Sequence, residues 1–203
     1  MDELRGEDCF GKKLLILGDV NTGKTTLCRQ VLADLCRKGM GKRTTVIDMA
    51  PHIPEVLARQ RGIVGAGGNL LVPPGSGVLD LRAHLDPPRL SSKSQAEALS
   101  KAQRNAEIIE TLFEKLVPEA RDILLINDVT LYLQTESAEH LIERAAFARM
   151  NTLVVNGYWG ERLGGGKLTE KEKAETEKLR QWFTSEGNVA MQTHVYPSAP
   201  RSL

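Results

Sequence analysis

A strand, a glycine-rich turn and a helix follow one another near residue 20, and this succession limits the fold more than any other feature. Residues 13–17 (KLLIL) form an apolar run that stops at Gly18, as buried strands of parallel sheets do. Between positions 27 and 36 two apolar rows step by four residues, which predicts one face of a helix over 23–38. The turn, residues 18–25 (GDVNTGKT), matches G-x-x-x-x-G-K-[ST] without a mismatch. The pattern therefore lies where a phosphate-binding loop needs it, between a strand and a helix.

The residues of this turn are suited to binding phosphate groups. Backbone N–H groups at the start of a helix point toward a bound anion, and glycines let the backbone approach it closely. The ammonium group of Lys24 would contact the β- and γ-phosphates of a nucleoside triphosphate, and the hydroxyl of Thr25 would bind Mg²⁺. The predicted nucleotide-binding residues are Gly18, Asp19, Val20, Asn21, Thr22, Gly23, Lys24, Thr25 and Thr26.

Two acidic residues follow apolar runs and extend the predicted site. Residues 123–127 (ILLIN) predict a buried strand followed by Asp128, whose carboxylate would hold Mg²⁺ through a water molecule, although a turn or helix-cap role is the alternative. Asp48 ends another predicted strand, at the edge where parallel sheets bind ligands. It could orient water, take a proton from an acceptor hydroxyl, support the metal's water shell or cap a loop. The predicted catalytic residues are Lys24, Asp48 and Asp128, and the predicted metal ligands are Thr25 and Asp128.

Apolar runs alternate with amphipathic stretches along the rest of the chain. Further strands are predicted at 44–48, 152–156 and 189–195, and further helices at 94–117, 136–149 and 169–186. This alternation predicts an α/β fold, a three-layer sandwich with a mostly parallel central sheet and right-handed crossovers. We expect a single domain over 1–203, with an insertion at about 50–121 that forms a lid or an acceptor region.

With its two motifs, the chain resembles the P-loop NTPase superfamily over about residues 1–160. The strand 46–48, soon after the loop, is similar to the branch that includes dethiobiotin synthetases, signal-recognition GTPases, partition-type ATPases and polynucleotide 5′-hydroxyl kinases. Partition-type ATPases, however, carry a signature lysine where this chain has Asp19, and the D-x-D-x-G-Q run of the polynucleotide kinases is absent after Asp48. The resemblance implies the P-loop NTPase fold with nucleoside triphosphate and Mg²⁺ binding, and it leaves the subfamily unassigned.

The sequence favours ATP over GTP as the nucleotide. In the superfamily that the chain resembles, guanine is usually recognised by N-K-x-D after a later strand, and the corresponding residues 156–159 are Asn-Gly-Tyr-Trp. Only the asparagine of that pattern is present, whereas adenine is often bound through backbone and apolar contacts that leave no motif. Tyr158 or Trp159 could stack on a base, and the simpler alternative is that both cover the edge of the sheet.

The segment 50–121 also supplies basic residues for a phosphoryl-transfer site. Such transfer needs positive charge near the equatorial oxygens, which a mobile arginine often provides. The candidates are His52, Arg59, Arg61, Arg82, His84 and Arg89. Arg89 is the first choice because it follows the rigid run Asp86-Pro87-Pro88, and a solvated surface charge is the alternative. The charged run 171–178, in contrast, is expected to be an exposed helix face.

The composition limits the partners. A net charge of +1 over 203 residues creates no overall attraction to nucleic acid or to an anionic membrane. Aromatic residues make up only 4% of the chain, which argues against a surface that stacks on bases. A nucleic acid is therefore a possible partner that the net charge does not indicate. The cysteines, Cys9, Cys28 and Cys36, are odd in number and lack C-x-x-C spacing, which favours buried thiols. No apolar run approaches the roughly 20 residues of a membrane helix, and the acidic start is unlike a signal peptide, so we expect a cytoplasmic protein.

Three functions fit these residues. The first is an Mg²⁺-dependent kinase that transfers the γ-phosphoryl group of ATP to an acceptor seated by residues 50–121, with Asp48 as base. The second is a switch module in which ATP orders the glycine-rich insertion and changes a surface for a protein partner. The third is an ATP hydrolase in which Asp48 positions water. The size of the insertion favours the kinase slightly, while the acceptor and the protein partner stay unknown.

Replacing the loop lysine tests the phosphate-binding prediction. Lys24→Ala removes the ammonium group expected to contact the β- and γ-phosphates, so the affinity for ATP with Mg²⁺ should fall at least about tenfold, equivalent to about 1.4 kcal/mol. Titration of the wild type and the variant with ATP and with GTP measures this change. Equal affinity and turnover in the two proteins would contradict the role of the loop.

Overall fold

The apolar runs of the sequence form one parallel sheet. The structure, a computed structural model, describes residues 9–66, 68–163, 165–185 and 188–193. Within these ranges six strands pair in parallel in the order β3-β2-β4-β5-β1-β6. The strands are β1 (Lys13–Gly18), β2 (Thr44–Asp48), β3 (Leu79–Arg82), β4 (Ile123–Asn127), β5 (Thr152–Tyr158) and β6 (Val189–Thr193). Because all strands run the same way, their carboxyl ends meet at one edge of the sheet.

Helices connect the strands across both faces of the sheet. The α-helices are α1 (Lys24–Arg37), α2 (Glu55–Gln60), α3 (Pro88–Ser91), α4 (Gln95–Phe113), α5 (Ala138–Arg144) and α6 (Lys167–Ser185). Short 3-10 helices lie at Gly41–Arg43, Val129–Gln134 and Phe147–Arg149. The Ser94 hydroxyl accepts a hydrogen bond from the Glu97 N–H at 3.2 Å, so the capping box at the start of α4 is confirmed.

Successive side chains of each strand point to opposite faces of the sheet, which divides the core into two layers. Leu14 and Ile16 of β1 belong to the cluster that packs against α1 on one face of the sheet. Leu15 and Leu17 belong to the larger cluster on the other face, where α4 and α6 contribute. Both faces of the sheet are therefore covered, which explains why its central strands are almost wholly apolar. The three-layer α/β fold predicted from the sequence is confirmed, with every described strand parallel.

The segment 50–121 contributes to the same sheet. Its strand β3 pairs with β2 and forms one edge of the sheet, and α4 packs on the core between β3 and β4. A long glycine-rich connection between α2 and β3 precedes this strand. The segment therefore consists of two ordinary crossovers. One of them includes the long connection, which lies near the loop 18–25 between β1 and α1.

Several element boundaries differ from those predicted. The helix predicted at 136–149 is broken, because Ala146 adopts a left-handed conformation with φ 53° and separates α5 from the following 3-10 helix. Helix α4 ends at Phe113 and not at residue 117, and α6 begins at Lys167 and not at 169. The last strand ends at Thr193, and residues 194 and 195 of the predicted strand lie outside the described residues.

Two predictions about the chain's chemistry can be compared with the fold. Cys9 and Cys28 are buried, as predicted, whereas Cys36 is half-buried. Within the described ranges, none of the helices combines the length and the apolar character needed to cross a bilayer.

Truncating a core residue of α4 tests how the helix contributes to stability. Ile109 is fully buried against the sheet, so Ile109→Ala should lower the free energy of unfolding by about 2–5 kcal/mol. Leu99→Ala on the same helix removes a side chain that is 44% exposed and should change it by less than about 1 kcal/mol. Urea unfolding measures both values. Similar losses for the two variants would contradict the packing of α4.

Candidate phosphate-binding site

The loop between β1 and α1 lies on the side of the sheet where the carboxyl ends of the strands meet. Gly23 precedes α1 with φ 86°, a conformation that L side chains rarely adopt, and Asn21 is also left-handed with φ 59°. The Lys24 ammonium group donates to the backbone oxygen of Asp19 at 2.6 Å. Burial lowers the pKa of Lys24, an effect that the charges of Asp128 and Asp19 oppose. The lysine is thus folded over the loop, with two carboxylates nearby.

The last strand packs against the start of this loop. The hydroxyls of Thr22 and Thr193 form a hydrogen bond of 2.7 Å, and the Thr193 hydroxyl also donates to the backbone oxygen of Leu17 at 3.2 Å. A Cβ atom at Gly18 would collide with both threonine hydroxyls and with the Thr193 backbone. The first glycine of the motif is therefore required by the close approach of β6.

Strand β4 ends at Asn127, one residue before Asp128, the acid predicted from the sequence to hold Mg²⁺. The side-chain oxygen of Asn127 faces the Thr25 hydroxyl at 3.5 Å, the limit of a hydrogen bond. Asp128 follows in a left-handed conformation with φ 59°, and burial raises its pKa while the charges of Lys24 and Arg89 lower it. Both residues line the same cavity. Sequence reasoning missed Asn127, although its position as the last strand residue was the available signal.

A chain of side-chain amides connects the ends of the central strands. Asn127 Nδ2 donates to the Asp48 carboxylate at 2.7 Å, and Asn156 Nδ2 donates to Asn127 Oδ1 at 2.8 Å. Asn156 Oδ1 accepts a hydrogen bond from the Asp128 N–H at 3.1 Å. Asn156, the residue compared above with the guanine-binding pattern, is therefore fully engaged in bracing β4 against β5.

Asp48 lies behind the cavity rather than in its lining. Its carboxylate accepts hydrogen bonds from the backbone N–H groups of Leu70 at 2.7 Å and Ala50 at 3.2 Å, besides the one from Asn127. Arg82 lies 3.9 Å from the same carboxylate. Asp48 is 1% exposed, so these contacts fill its surroundings. This geometry favours a positioning role over direct contact with a reacting group.

The glycine-rich connection is held over the first loop by hydrogen bonds. Arg29 of α1 donates through Nε to the backbone oxygen of Asn69 at 2.8 Å, and Asn127 Nδ2 donates to that of Gly68 at 2.9 Å. Asn21 of the loop donates to the backbone oxygen of Val64 at 3.1 Å. With the bond from Leu70 to Asp48, these contacts attach the connection to α1, to β4 and to the loop itself.

These elements enclose a cavity of about 370 Å³. All predicted loop residues from Val20 to Thr26 line it, while Gly18 and Asp19 do not. Asn127 and Asp128 also line it, and so do Pro87, Arg89 and Gln134. Of the predicted catalytic residues, Lys24 and Asp128 therefore meet in one cavity, whereas Asp48 supports it from behind.

Arg89 is fixed by a buried carboxylate of α6. Its guanidinium group lies 3.1 Å from Glu172, the arginine side chain being 11% and the glutamate 2% exposed. The same group lies over the ring of Tyr158, 5.2 Å from its centre, which gives a cation–π contact. The ring of Tyr158 lines the cavity, while Trp159 packs against the core. Arg89 is thus a largely buried, oriented cation and not a solvated surface charge.

The prediction that residues 171–178 form an exposed face is wrong. Glu172 and Glu175 are buried, and Glu175 accepts a hydrogen bond from the N–H of Ala138 at 2.9 Å. The available signal was helical spacing, because Glu172 lies seven residues before Leu179 and eleven before Phe183, on the buried stripe of α6. A count of charges along the run conceals this stripe.

Comparisons with known proteins assign no family to this chain. No protein-family model matches the chain, and no curated protein sequence does either. Among solved structures, the chain is similar to the flagellar accessory protein FlaH from Methanocaldococcus jannaschii, with a TM-score of 0.48 and 8% sequence identity; the match covers 94% of this chain and 74% of that one.

The dependence of stability on pH tests the burial of Glu172. Burial raises the pKa of this carboxyl from 4.5 to about 7, although Arg89 and the amide of Gln134 lower it, and the charge of Asp128 raises it further. Since the pKa is higher in the folded state, Glu172 favours folding while protonated, and this contribution is lost as the pH rises from about 4.5 through about 7. Glu172→Gln removes this titration.

The variant should therefore gain stability relative to the wild type as the pH rises. We expect the difference in the free energy of unfolding to change by on the order of 3 kcal/mol across this range, measured by urea unfolding at several pH values. Glu170→Gln, at an exposed position of the same helix, is the matched control and should show no such trend. A difference independent of pH for Glu172→Gln would contradict the buried carboxyl.

Proposed function

We propose that this chain binds a nucleoside triphosphate, ATP rather than GTP, together with Mg²⁺, and transfers the γ-phosphoryl group to a small acceptor. The observation that carries the proposal is the cavity of about 370 Å³, which is lined both by the loop and by the oriented Arg89. Phosphates at the loop and a second small molecule would share this space, whose volume is within the range of small-molecule sites. A hydrolase requires no second binding space of this kind.

The oxygen atoms beside the loop suit Mg²⁺ bound jointly with phosphates. Mg²⁺ prefers oxygen ligands and is usually held by one or two carboxylates, waters and substrate phosphates. The Thr25 hydroxyl and the Asp128 carboxylate, which line the same cavity, supply such atoms. Over the described ranges no group of three His, Cys, Asp or Glu side chains could hold an ion unaided, in keeping with a metal that binds with the nucleotide. When bound, Mg²⁺ would neutralise phosphate charge.

Two cations and one carboxylate of the cavity would act on the transfer. Lys24 would exchange the backbone oxygen of Asp19 for phosphate oxygens, and Arg89 would stabilise charge on the transferred group. The acceptor hydroxyl would form the new bond to the γ-phosphorus as the bond to the ADP oxygen breaks, and its proton would pass to Asp128.

Asp48 would support the site by holding other segments in place and would not contact the reacting groups. Its carboxylate is engaged by Leu70, Ala50 and Asn127, so we assign it the task of holding the glycine-rich connection against the loop. This assignment replaces the proposed base role with a supporting one. It leaves Asp128 as the carboxylate within reach of an acceptor.

One contact favours the switch as a second candidate function. Asn21, inside the loop, donates to the backbone oxygen of Val64, so a bound triphosphate that displaced Asn21 would release the connection from the loop. ATP hydrolysis would then be slow and insensitive to acceptors, and affinity for a protein partner would depend on the nucleotide. A kinase instead predicts ADP formation that a small acceptor accelerates.

Removing the loop hydroxyl tests the metal-dependent binding. ATP affinity should fall at least about tenfold when EDTA removes Mg²⁺ from the wild type. Thr25→Val should abolish most of this dependence on Mg²⁺, because the hydroxyl proposed as a ligand is gone. Calorimetric titration with ATP, with and without EDTA, measures both effects, and Thr111→Val on the exposed surface of α4 is the control. Equal ATP affinity of the wild type with and without EDTA would contradict the proposal.

A further inference from the structure

Among the residues that the structure describes, one arginine of the cavity lacks an acidic partner. Arg29 of α1 lines the cavity together with Lys24, Arg89 and Asp128, the other charged members of its described lining. Lys24 has the Asp128 carboxylate nearby, and Arg89 is paired with Glu172. The charge of Arg29 is therefore the one in this lining that no described carboxylate compensates.

The guanidinium group of Arg29 is engaged along one edge and open along another. Nε donates to the backbone oxygen of Asn69 at 2.8 Å, and Nη2 donates to the same oxygen. The edge formed by Nη1 and the outer N–H of Nη2 meets no acceptor within the described ranges. The side chain is half-buried and its bond to Asn69 is open to solvent, so a ligand can reach this edge. Two parallel N–H groups match the two oxygens of a carboxylate or a phosphate.

The neighbours of Gly68 place this guanidinium group near the proposed metal ligand. A Cβ atom at Gly68 would lie 3.3 Å from Arg29 Nη2 and 3.8 Å from Thr25 Cγ2. The backbone oxygen of Gly68 accepts a hydrogen bond from Asn127 at the end of β4. In phosphoryl-transfer sites the metal ion bridges oxygens of the β- and γ-phosphates, so the γ-phosphate faces the metal ligands. Arg29 is therefore on the side of the loop where an acceptor must meet the γ-phosphate.

The charge of the nucleotide determines what an extra cation at this place can serve. An acceptor that shared the cavity with a triphosphate would be repelled by it if the acceptor were itself negative. Lys24, Arg89 and Mg²⁺ would already face the phosphates. An uncharged acceptor needs no further cation, whereas an anionic one needs a cation of its own. The uncompensated charge of Arg29 therefore favours an anionic acceptor.

We propose that Arg29 binds an anionic group of the acceptor, and that the acceptor is a small hydroxy compound carrying a carboxylate or a phosphate. The anionic group pairs with the open edge of Arg29, and the hydroxyl lies toward Asp128. There the hydroxyl oxygen forms the bond to the γ-phosphorus while the bond to the ADP oxygen breaks, and the hydroxyl proton passes to Asp128. This inference rests on the proposed function, because it concerns the acceptor side of the same cavity. It adds the charge of the acceptor and the residue that recognises it.

Matched acceptors test the charge class. ADP formation from ATP and Mg²⁺ is measured with glycerate and α-glycerophosphate against glycerol, and with D-ribonate against D-ribose. At least one anionic compound should accelerate ADP formation about tenfold more than its uncharged counterpart and form a phosphorylated product, as expected for one charge-assisted hydrogen bond. The glycerol series distinguishes a carboxylate from a phosphate as the recognised group. Equal or better use of the uncharged counterparts overturns the inference, and so does a panel in which no anionic compound acts.

Two substitutions on the same helix test the role of Arg29. Arg29→Gln keeps a side-chain N–H for the oxygen of Asn69 but removes the charge, so the preference for the anionic acceptor over its uncharged counterpart should fall at least about tenfold. A general disturbance of the site would lower the use of both acceptors and leave this ratio unchanged. Arg37→Gln, at the exposed end of α1 and outside the cavity lining, is the matched control and should keep the preference.

The outcomes separate this inference from the proposed function. An unchanged preference in Arg29→Gln, or an equal loss in Arg37→Gln, overturns the recognition role while the binding of ATP stands. A loss of ATP affinity in Arg29→Gln as large as the loss of preference also overturns it, since the residue would then serve the nucleotide. Failure of the wild type to bind ATP with Mg²⁺ refutes the proposed function and this inference together.

Discussion

The buried carboxylate of Asp48 is the constraint on which the rest of the site depends. A charge that is 1% exposed is tolerated only when its oxygens are fully hydrogen-bonded, so its donors must be held in place. Those donors come from three segments: the chain after β2 at Ala50, the glycine-rich connection at Leu70 and the end of β4 at Asn127. One carboxylate thereby fixes the position of the connection relative to the sheet.

The amide of Asn127 carries this constraint to the phosphate-binding loop. Its Nδ2 atom is committed to Asp48 and to the backbone oxygen of Gly68, so its Oδ1 atom must point to the other side. There it accepts a hydrogen bond from Asn156 and faces the Thr25 hydroxyl. An aspartate at this position would present two acceptors and lose the donors to Asp48, which explains physically why an amide suits this sheet. The position of Thr25 is thus tied to the middle of the sheet.

The sequence predicts a feature of this structure well when the residues that determine the feature lie close together along the chain. Local signals predict well: the apolar runs of β1 and β4 and the capping box at Ser94 depend on neighbours within a few residues. The direction of a side chain at the end of a strand depends on partners far along the chain, as for Asp48 and Leu70, which are 22 residues apart. Helical spacing could indicate that Glu172 is buried, but its ion pair with Arg89 joins two elements far apart along the chain, so no local pattern could predict that contact.

The fixed state of Arg89 is the physical reason to prefer transfer over switching. A switch needs an element with two arrangements of similar free energy, which a ligand can bias. Arg89 is instead held by Glu172 from α6, by the ring of Tyr158 from β5 and by the prolines that precede it. Releasing it would leave a buried carboxylate without its cation, which is costly. A cation already oriented beside the loop stabilises developing charge without rearrangement, and such preorganisation serves catalysis better than signalling.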